Sequence, residues 1–248
     1  PVVIETIFFC ETKGMKKTNA RHAHAILTLA CLAWAGSYAI GRFGLSDGSA
    51  LWLTVWRWAP GALISVIFLV WSWPDQRTFI LLALPRLIFI SALGIVIYPA
   101  TLFLAVAETT ALNASLYLAT TPILIALLSA ILWKERIGLF RGLAIGLGLV
   151  GAFILIFRGS LDSLVTFEFA ASDTWAIISA LAWAGYCVSL PMKPDGLREL
   201  PFLAVLIVIG TSVLLVSAVL SGSEMPLPDT PATAWSMAYF AIFPSIIA

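Results

Sequence analysis

Long apolar segments alternate with short polar connections along the whole chain. Each is close to the roughly 20 residues that an α-helix needs to cross a bilayer, and there are eight of them, at residues 24–43, 50–71, 87–107, 109–133, 139–157, 174–192, 201–220 and 232–248. Turn-forming residues fill the connections, for example at Trp73-Pro74-Asp75 and Lys193-Pro194-Asp195-Gly196, so we expect the chain to turn there. The pattern predicts eight transmembrane helices.

Composition excludes a soluble globule. Hydrophobic residues make up 61% of the chain and charged residues 11%, with a mean hydropathy of +1.02, and a soluble domain of this size could not hide so much apolar surface. The segments lack the short alternating pattern of a membrane barrel, so the expected class is an all-α integral membrane protein. Cys10, Cys31 and Cys187 lie far apart in apolar or terminal segments. We therefore expect no metal site and no cofactor.

The basic residues give an orientation, because short cytoplasmic loops are enriched in Lys and Arg. If the connections alternate sides, one side has only Arg42 and Arg158, whereas the other collects eleven basic residues: Lys13, Lys16, Lys17, Arg21, Arg77, Arg86, Lys134, Arg136, Arg141, Lys193 and Arg198. The charges predict a multi-pass protein of the inner (plasma) membrane with a cytoplasmic N-terminus. The first methionine is Met15, so we interpret residues 1–14 as an upstream segment outside the fold.

An internal repeat relates the two halves of the chain. Leu32-Ala33-Trp34-Ala35-Gly36 recurs 149 residues later as Leu181-Ala182-Trp183-Ala184-Gly185. Tyr98-Pro99 similarly corresponds to Phe243-Pro244, with an offset of 145 residues. The repeat is then five helices long, and because five is odd, the second copy enters the membrane from the opposite side.

This arithmetic divides the chain into an inverted repeat, the architecture of many secondary transporters. The first copy spans residues 15–158 with five helices, residues 159–173 form a periplasmic connection, and residues 174–248 hold three helices of the second copy. We expect a ten-helix fold of which about eight helices are present, the chain stopping within the eighth.

Several motifs, in this order and spacing, resemble the EamA family of the drug/metabolite transporter superfamily. They are the Leu-Ala-Trp-Ala-Gly motif followed by Arg42, Trp56-Arg57-Trp58, the stretch from Thr110 to Ser115, Thr121-Pro122, Trp133-Lys134-Glu135-Arg136, and a glycine-rich fifth segment ending at Phe157-Arg158-Gly159. The resemblance implies a ten-helix carrier that exports amino acids or other small metabolites. It also implies a central cavity formed by the first, third and fourth helices of each half.

Arg57 lies inside the second predicted helix, where an ionisable side chain suggests a functional site. We consider it a cavity candidate, with the alternative that the long side chain snorkels to the outer surface about 10 Å away. Trp34, Tyr38, Tyr98 and Trp183 lie inside helices and suit an apolar or aromatic substrate, although ordinary packing explains them equally well. The equivalence of Trp34 and Trp183 favours the cavity.

Three further residues are candidates for coupling, gating or binding. Glu108 lies on the predicted outer side and could carry a proton for exchange, or be a loop carboxylate in water. Asn113 could bind substrate or hydrogen-bond between helices. Glu135 anchors the fourth helix at the cytoplasmic surface or contributes to a gating ion pair. Gly142, Gly146, Gly148 and Gly151 predict close helix packing, either within the bundle or in a homodimer.

Three functional hypotheses follow. The first is a secondary carrier that needs no cofactor and has the lipid bilayer and a small-molecule substrate as partners, with no nucleic acid. A membrane-embedded, lipid-modifying enzyme is the second, but it would need clustered acidic, His or Ser residues at a membrane face. The third is an inactive, truncated fragment of a transporter.

Overall fold

A computed structural model describes residues 50–108, 120–135, 138–156, 171–225 and 230–242, together with positions 28, 29, 32, 36, 40 and 117. The regular structure of these residues is helical throughout, in the order α1 (Ala50–Leu82), α2 (Leu84–Ser91), a π-helical segment (Ala92–Ile97), α3 (Tyr98–Glu108), α4 (Thr121–Leu132), α5 (Leu139–Ile156), α6 (Ala171–Ser189), a 3₁₀ turn (Leu190–Met192), α7 (Glu199–Leu220) and α8 (Pro231–Ile242). These helices occupy the second to the eighth predicted apolar segments.

Four helical stretches are long and apolar enough to cross a membrane: Ala50–Leu82, Leu84–Glu108, Asp173–Met192 and Glu199–Leu220. The prediction of an all-α membrane protein is confirmed. Apolar residues lie on the outside as well as in the interior, including Trp71, Phe140 and Leu220. This is the arrangement expected where the surrounding solvent is lipid.

The turn expected at Trp73-Pro74-Asp75 is wrong, because α1 continues through Pro74 to Leu82 and the chain turns at Ala83. A contact distant in sequence holds the extension of α1. Gln76 is only 5% exposed, and its side-chain oxygen accepts a hydrogen bond from the backbone N–H of Arg198 at 2.9 Å. The local sequence pattern around Pro74 does not indicate that Arg198 is the partner of Gln76.

Helices α1 and α7 are antiparallel neighbours tied together at both ends. At one end the indole N–H of Trp52 donates to the carbonyl of Ser223 at 2.9 Å. At the other, the guanidinium of Arg198 lies 3.2 Å from the carboxylate of Asp75. Trp52 and Asp75 are about 35 Å apart along α1, slightly more than the thickness of the hydrocarbon core. The two ties therefore lie near opposite membrane surfaces.

Small residues let α7 approach the π-helical segment closely. A side chain at Gly210 would place its Cβ 2.5 Å from the Cβ of Ile95 and 2.8 Å from the hydroxyl of Ser91. That hydroxyl donates to the carbonyl of Leu206 at 2.6 Å, in the interior. Gly61, which lies 149 residues before Gly210, is also buried on α1. A close backbone approach explains why glycine occupies position 210.

Helix α6 packs against both α3 and α4. Leu102, Ala105 and Val106 of α3 form a buried cluster with Ala176 of α6. On the α4 side, Ile125 packs with Ala184, Cys187 and Val188, and the indole N–H of Trp133 donates to the carbonyl of Val188 at 3.0 Å. α6, from the predicted second copy, therefore contacts two helices of the predicted first copy.

Candidate functional site

An aromatic cluster forms where α3 meets α6. The rings of Tyr98 and Trp183 lie 4.6 Å apart between centroids, and Trp183 lies 5.3 Å from Tyr186. Tyr98 belongs to the predicted first copy and Trp183 to the second. The structure thus brings together two residues that the sequence singled out independently.

Tyr186 is a member of this cluster that sequence reasoning missed. It follows Trp183 by three residues, the spacing that places two side chains on one helix face. Its ring lies directly over Gly94, where a Cβ would be 2.7 Å from the ring carbon Cγ. The signal in the sequence was this spacing from Trp183, which belongs to the repeated Leu-Ala-Trp-Ala-Gly motif of α6.

The π-helical segment runs from Ala92 to Ile97 and ends two residues before Pro99. Proline has no N–H to donate and its ring clashes with the carbonyl four residues earlier, so a regular α-helical turn is unfavourable there. In the wider turn the N–H of Tyr98 instead donates to the carbonyl of Leu93, five residues back. Such π segments mark sites where a helix is locally distorted, and they frequently occur at functional sites.

Two hydroxyl groups hydrogen-bond to the backbone beside this distortion. The side chain of Ser179 on α6 donates to the carbonyl of Tyr98 at 3.0 Å. Thr101 donates to the carbonyl of Ile97 at 2.7 Å. The Thr101 bond is the local one that a threonine makes to the carbonyl four residues earlier in its own helix. The Ser179 bond links α3 to α6 next to the aromatic cluster.

Arg57 is buried on α1, with 4% of its surface exposed. Its guanidinium carbon lies 5.5 Å from the centroid of the Trp58 ring, a distance at which a cation interacts with an aromatic face. This burial favours a position in the protein interior over snorkelling to the outer surface.

The surroundings of Arg57 connect it to α3. Leu53, one turn before Arg57, packs with Phe103 of α3 and Phe240 of α8. The rings of Phe103 and Phe240 meet edge to face, with 5.2 Å between their centroids. Phe103 is five residues from Tyr98, about 7.5 Å along the helix axis. Arg57 is thus connected to the helix that carries Tyr98 through the contact between Leu53 and Phe103.

The coupling candidates lie outside this region. Glu108 is exposed at the last residue of α3, and Glu135 is half-buried just after α4. Trp34, Tyr38 and Asn113 lie outside the described residues. Another carboxylate has a defined partner, since Asp173 at the start of α6 accepts a hydrogen bond from the phenol of Tyr117. Sequence reasoning did not single out this pair.

Among the described residues, this region presents the aromatic faces of Tyr98, Trp183 and Tyr186 and the buried guanidinium of Arg57. In the part of the chain that the structure describes, no three or more His, Cys, Asp or Glu residues come together in a way that could hold a metal ion.

Comparison with known proteins agrees with a membrane carrier. The model of the EamA-like transporter family matches residues 21–157. An uncharacterized transporter of Archaeoglobus fulgidus is 28% identical over 239 residues, covering 91% of this chain and 76% of that protein. The uncharacterized transporters YyaM and YdfC of Bacillus subtilis are 24% and 27% identical over 212 and 217 residues, and each alignment covers 68% of the relative. No solved structure gives a significant match.

Proposed function

The chain belongs to the EamA-like transporter family, and from that premise we propose that it is a secondary carrier exporting a small metabolite across the inner membrane. An amino acid or another amphipathic compound is the proposed substrate class. One observation carries the proposal: Tyr98 and Trp183, which come from different copies of the predicted repeat, lie in contact at 4.6 Å. A substrate site between two repeats is the usual arrangement in carriers of inverted-repeat architecture.

We propose further that the two copies have opposite orientations in the membrane. Helices α1 and α7 support this, because they are related by the 149-residue offset and run antiparallel side by side. The equivalent glycines Gly36 and Gly185 add support. A Cβ at Gly36 would overlap the hydroxyl of Tyr239, whereas one at Gly185 would lie 3.3 Å from Leu93. Once the 145-residue offset is applied, Tyr239 falls one residue after Leu93. The two equivalent glycines therefore contact equivalent helices.

In this proposal, the interface between α1 and α7 opens and closes during alternating access. We call this interface, between Ala50–Leu82 and Glu199–Leu220, the seam. The ties at Trp52–Ser223 and Asp75–Arg198 close the two ends of the seam. The π-helical segment next to the aromatic cluster supplies a weak point in the bundle, because its hydrogen-bond register differs from that of the helices on either side.

Counterflow in proteoliposomes tests the carrier proposal. Liposomes containing the protein are loaded with unlabelled amino acids or small amphipathic amines, and uptake of the labelled solute is measured. We expect saturable exchange of at least one solute, and its loss in Trp183→Ala. Trp235→Ala is the matched control, since Trp235 is 76% exposed on α8 and should leave exchange unchanged. Equal effects of the two substitutions would contradict the assignment of the site.

The lipid-modifying enzyme remains the second candidate. It would gain support if no solute moved while Trp34→Ala and Arg57→Ala altered the turnover of a lipid substrate. The family membership and the names of the relatives favour the carrier.

A further inference from the structure

The helix formed by α2, the π-helical segment and α3 has one residue more than α8, its equivalent in the predicted second copy. Pro85 and Pro231, in the first turns of α2 and α8, are 146 residues apart. Pro99 and Pro244, which both follow an aromatic residue, are 145 residues apart. The predicted first copy therefore contains one extra residue between Pro85 and Pro99.

Two equivalent glycines narrow the position of the extra residue. A Cβ on Gly36 would overlap the hydroxyl of Tyr239. A Cβ on Gly185 would lie 3.3 Å from Leu93. Tyr239 and Leu93 are 146 residues apart, as are the two prolines at the helix starts. The copies thus correspond with this offset up to Leu93, and the extra residue lies beyond it, where the π-helical segment is.

The π-helical segment accommodates this residue. Its hydrogen bonds join residues five apart instead of four, so the turn holds one residue more and the helix faces on either side keep their directions. The six residues of the segment correspond to residues 238–242 of α8, which are α-helical. Proline by itself does not explain this difference, because both copies have one at this place.

The fold does not require the extra residue, since the second copy forms the equivalent glycine contact without it. The wide turn is also the weaker arrangement. The N–H of Tyr98 reaches five residues back to the carbonyl of Leu93, and Pro99 has no N–H to donate to the carbonyl of Gly94. A feature that weakens a helix and that the fold does not need indicates a role in function.

The segment lies between two packing surfaces of one helix. Before it, the hydroxyl of Ser91 donates to the carbonyl of Leu206 on α7 at 2.6 Å. After it, the carbonyl of Tyr98 accepts from Ser179 on α6 at 3.0 Å, and α3 packs against α6 over its further length. A movement at the segment would therefore shift the α3 side, which carries the aromatic cluster, while the contacts on α7 stay in place.

We propose that the extra residue makes the π-helical segment a joint in the first copy, and that the equivalent residues of α8 form none. The proposal rests on the carrier function proposed above, because movement at the joint opens and closes the space around the aromatic cluster during alternating access. The two halves of the carrier are then mechanically unequal. Removing one residue from the segment converts it into an α-helical turn and abolishes the joint without changing the fold.

Two single-residue deletions separate the joint from ordinary packing. Ile97 is exposed at the end of the segment, and Ala238 is exposed within α8. Deletion of Ile97 leaves the number of residues that the second copy has, so the protein should unfold at the wild-type fraction of dodecyl sulfate. Deletion of Ala238 turns one part of α8 by about 100° relative to the other. Met237 or Phe240, both buried, must then leave its place, and this variant should unfold at a lower fraction.

Hydrogen exchange of the purified full chain measures the joint without transport. We expect the amides of residues 94–98 to exchange about tenfold faster than those of residues 87–91 and 102–106, the factor that the loss of one hydrogen bond supplies. Deletion of Ile97 should bring these rates together. Equal rates along the wild-type helix, an unchanged difference after the deletion, or equal destabilisation by the two deletions would overturn the proposal.

Counterflow tests whether the joint serves transport. The folded variant without Ile97 should lose the exchange of amino acids or amphipathic amines that the wild type shows. Wild-type exchange in this variant would contradict a role of the joint in alternating access. If the wild type itself moves no solute, the carrier function fails, whereas hydrogen exchange still decides whether the joint exists.

Discussion

Replacing Gly94 by alanine perturbs the aromatic cluster with a single methyl group. The new Cβ would lie 2.7 Å from the ring carbon Cγ of Tyr186, whereas carbon atoms in favourable contact are about 3.5–4.0 Å apart. The Cγ atom is next to the Tyr186 backbone and cannot swing away freely. Trp183 lies against the same ring at 5.3 Å, so either the helices must separate or the ring must leave the cluster.

Two opposing contributions set the change in unfolding free energy caused by Gly94→Ala. Overpacking of a filled interior costs about 1–3 kcal/mol, and alanine is favoured over glycine inside a helix by about 1 kcal/mol. Gly146→Ala provides the second term alone, because nothing lies within 4 Å of a Cβ at that position of α5. The difference in unfolding free energy between the two variants therefore isolates the overlap and should be about 1–3 kcal/mol.

A double-mutant cycle identifies Tyr186 as the cause. Unfolding free energies are measured by titration from mild detergent into sodium dodecyl sulfate, for both alanine variants in the wild type and in Tyr186→Ala. Without the ring, the difference between Gly94→Ala and Gly146→Ala should fall to within about 0.5 kcal/mol, the scatter of independent sites. An undiminished difference in the Tyr186→Ala background would refute the proposed contact.

Two further predictions concern contacts of the loop before α7, with Gly222 after α7 as a comparison, and unfolding free energies test both. Gly196 and Gly222 have φ angles of +88° and +65°, so alanine costs each about 1–2 kcal/mol of backbone strain. Of the two, Gly196 also faces Phe79, since a Cβ there would lie 2.6 Å from the ring. Gly196→Ala should therefore be the more destabilising, and equal losses would argue against that packing. Gln76→Leu removes the buried acceptor of the Arg198 N–H and should cost about 1–3 kcal/mol, whereas Asp75→Asn breaks an exposed ion pair worth less than about 1 kcal/mol. The reverse order would mean that the ion pair, and not the buried hydrogen bond, holds the extension of α1.

Hydropathy predicted the existence of the helices well, because an uninterrupted apolar stretch of about 20 residues leaves its backbone groups no other way to be satisfied in lipid. The turn-forming residues misled at Pro74, where a turn was expected and α1 continues to Leu82. The partner that stabilises this extension, Arg198, is 122 residues away from Gln76. A local pattern cannot contain such a contact.

The site was predictable in part. The internal repeat favoured Trp183, and the position of Tyr98 inside a predicted helix led to the second member of the cluster. Hydropathy could not reveal the π-helical segment, since a change in hydrogen-bond register leaves the apolar pattern unchanged. Tyr186 was missed because nothing but its spacing from Trp183 distinguishes it from other aromatic residues in the helices.

Cysteine labelling tests most directly the central claim of a carrier built from two oppositely inserted copies. In a chain without Cys10, Cys31 and Cys187, single cysteines are placed at Asp47 and Asp195, in the equivalent loops that follow the first and sixth apolar segments. A membrane-impermeant maleimide is applied to intact and permeabilised cells. The account predicts that Asp47→Cys is labelled in intact cells and Asp195→Cys only after permeabilisation. Labelling of both positions from the same side would contradict it.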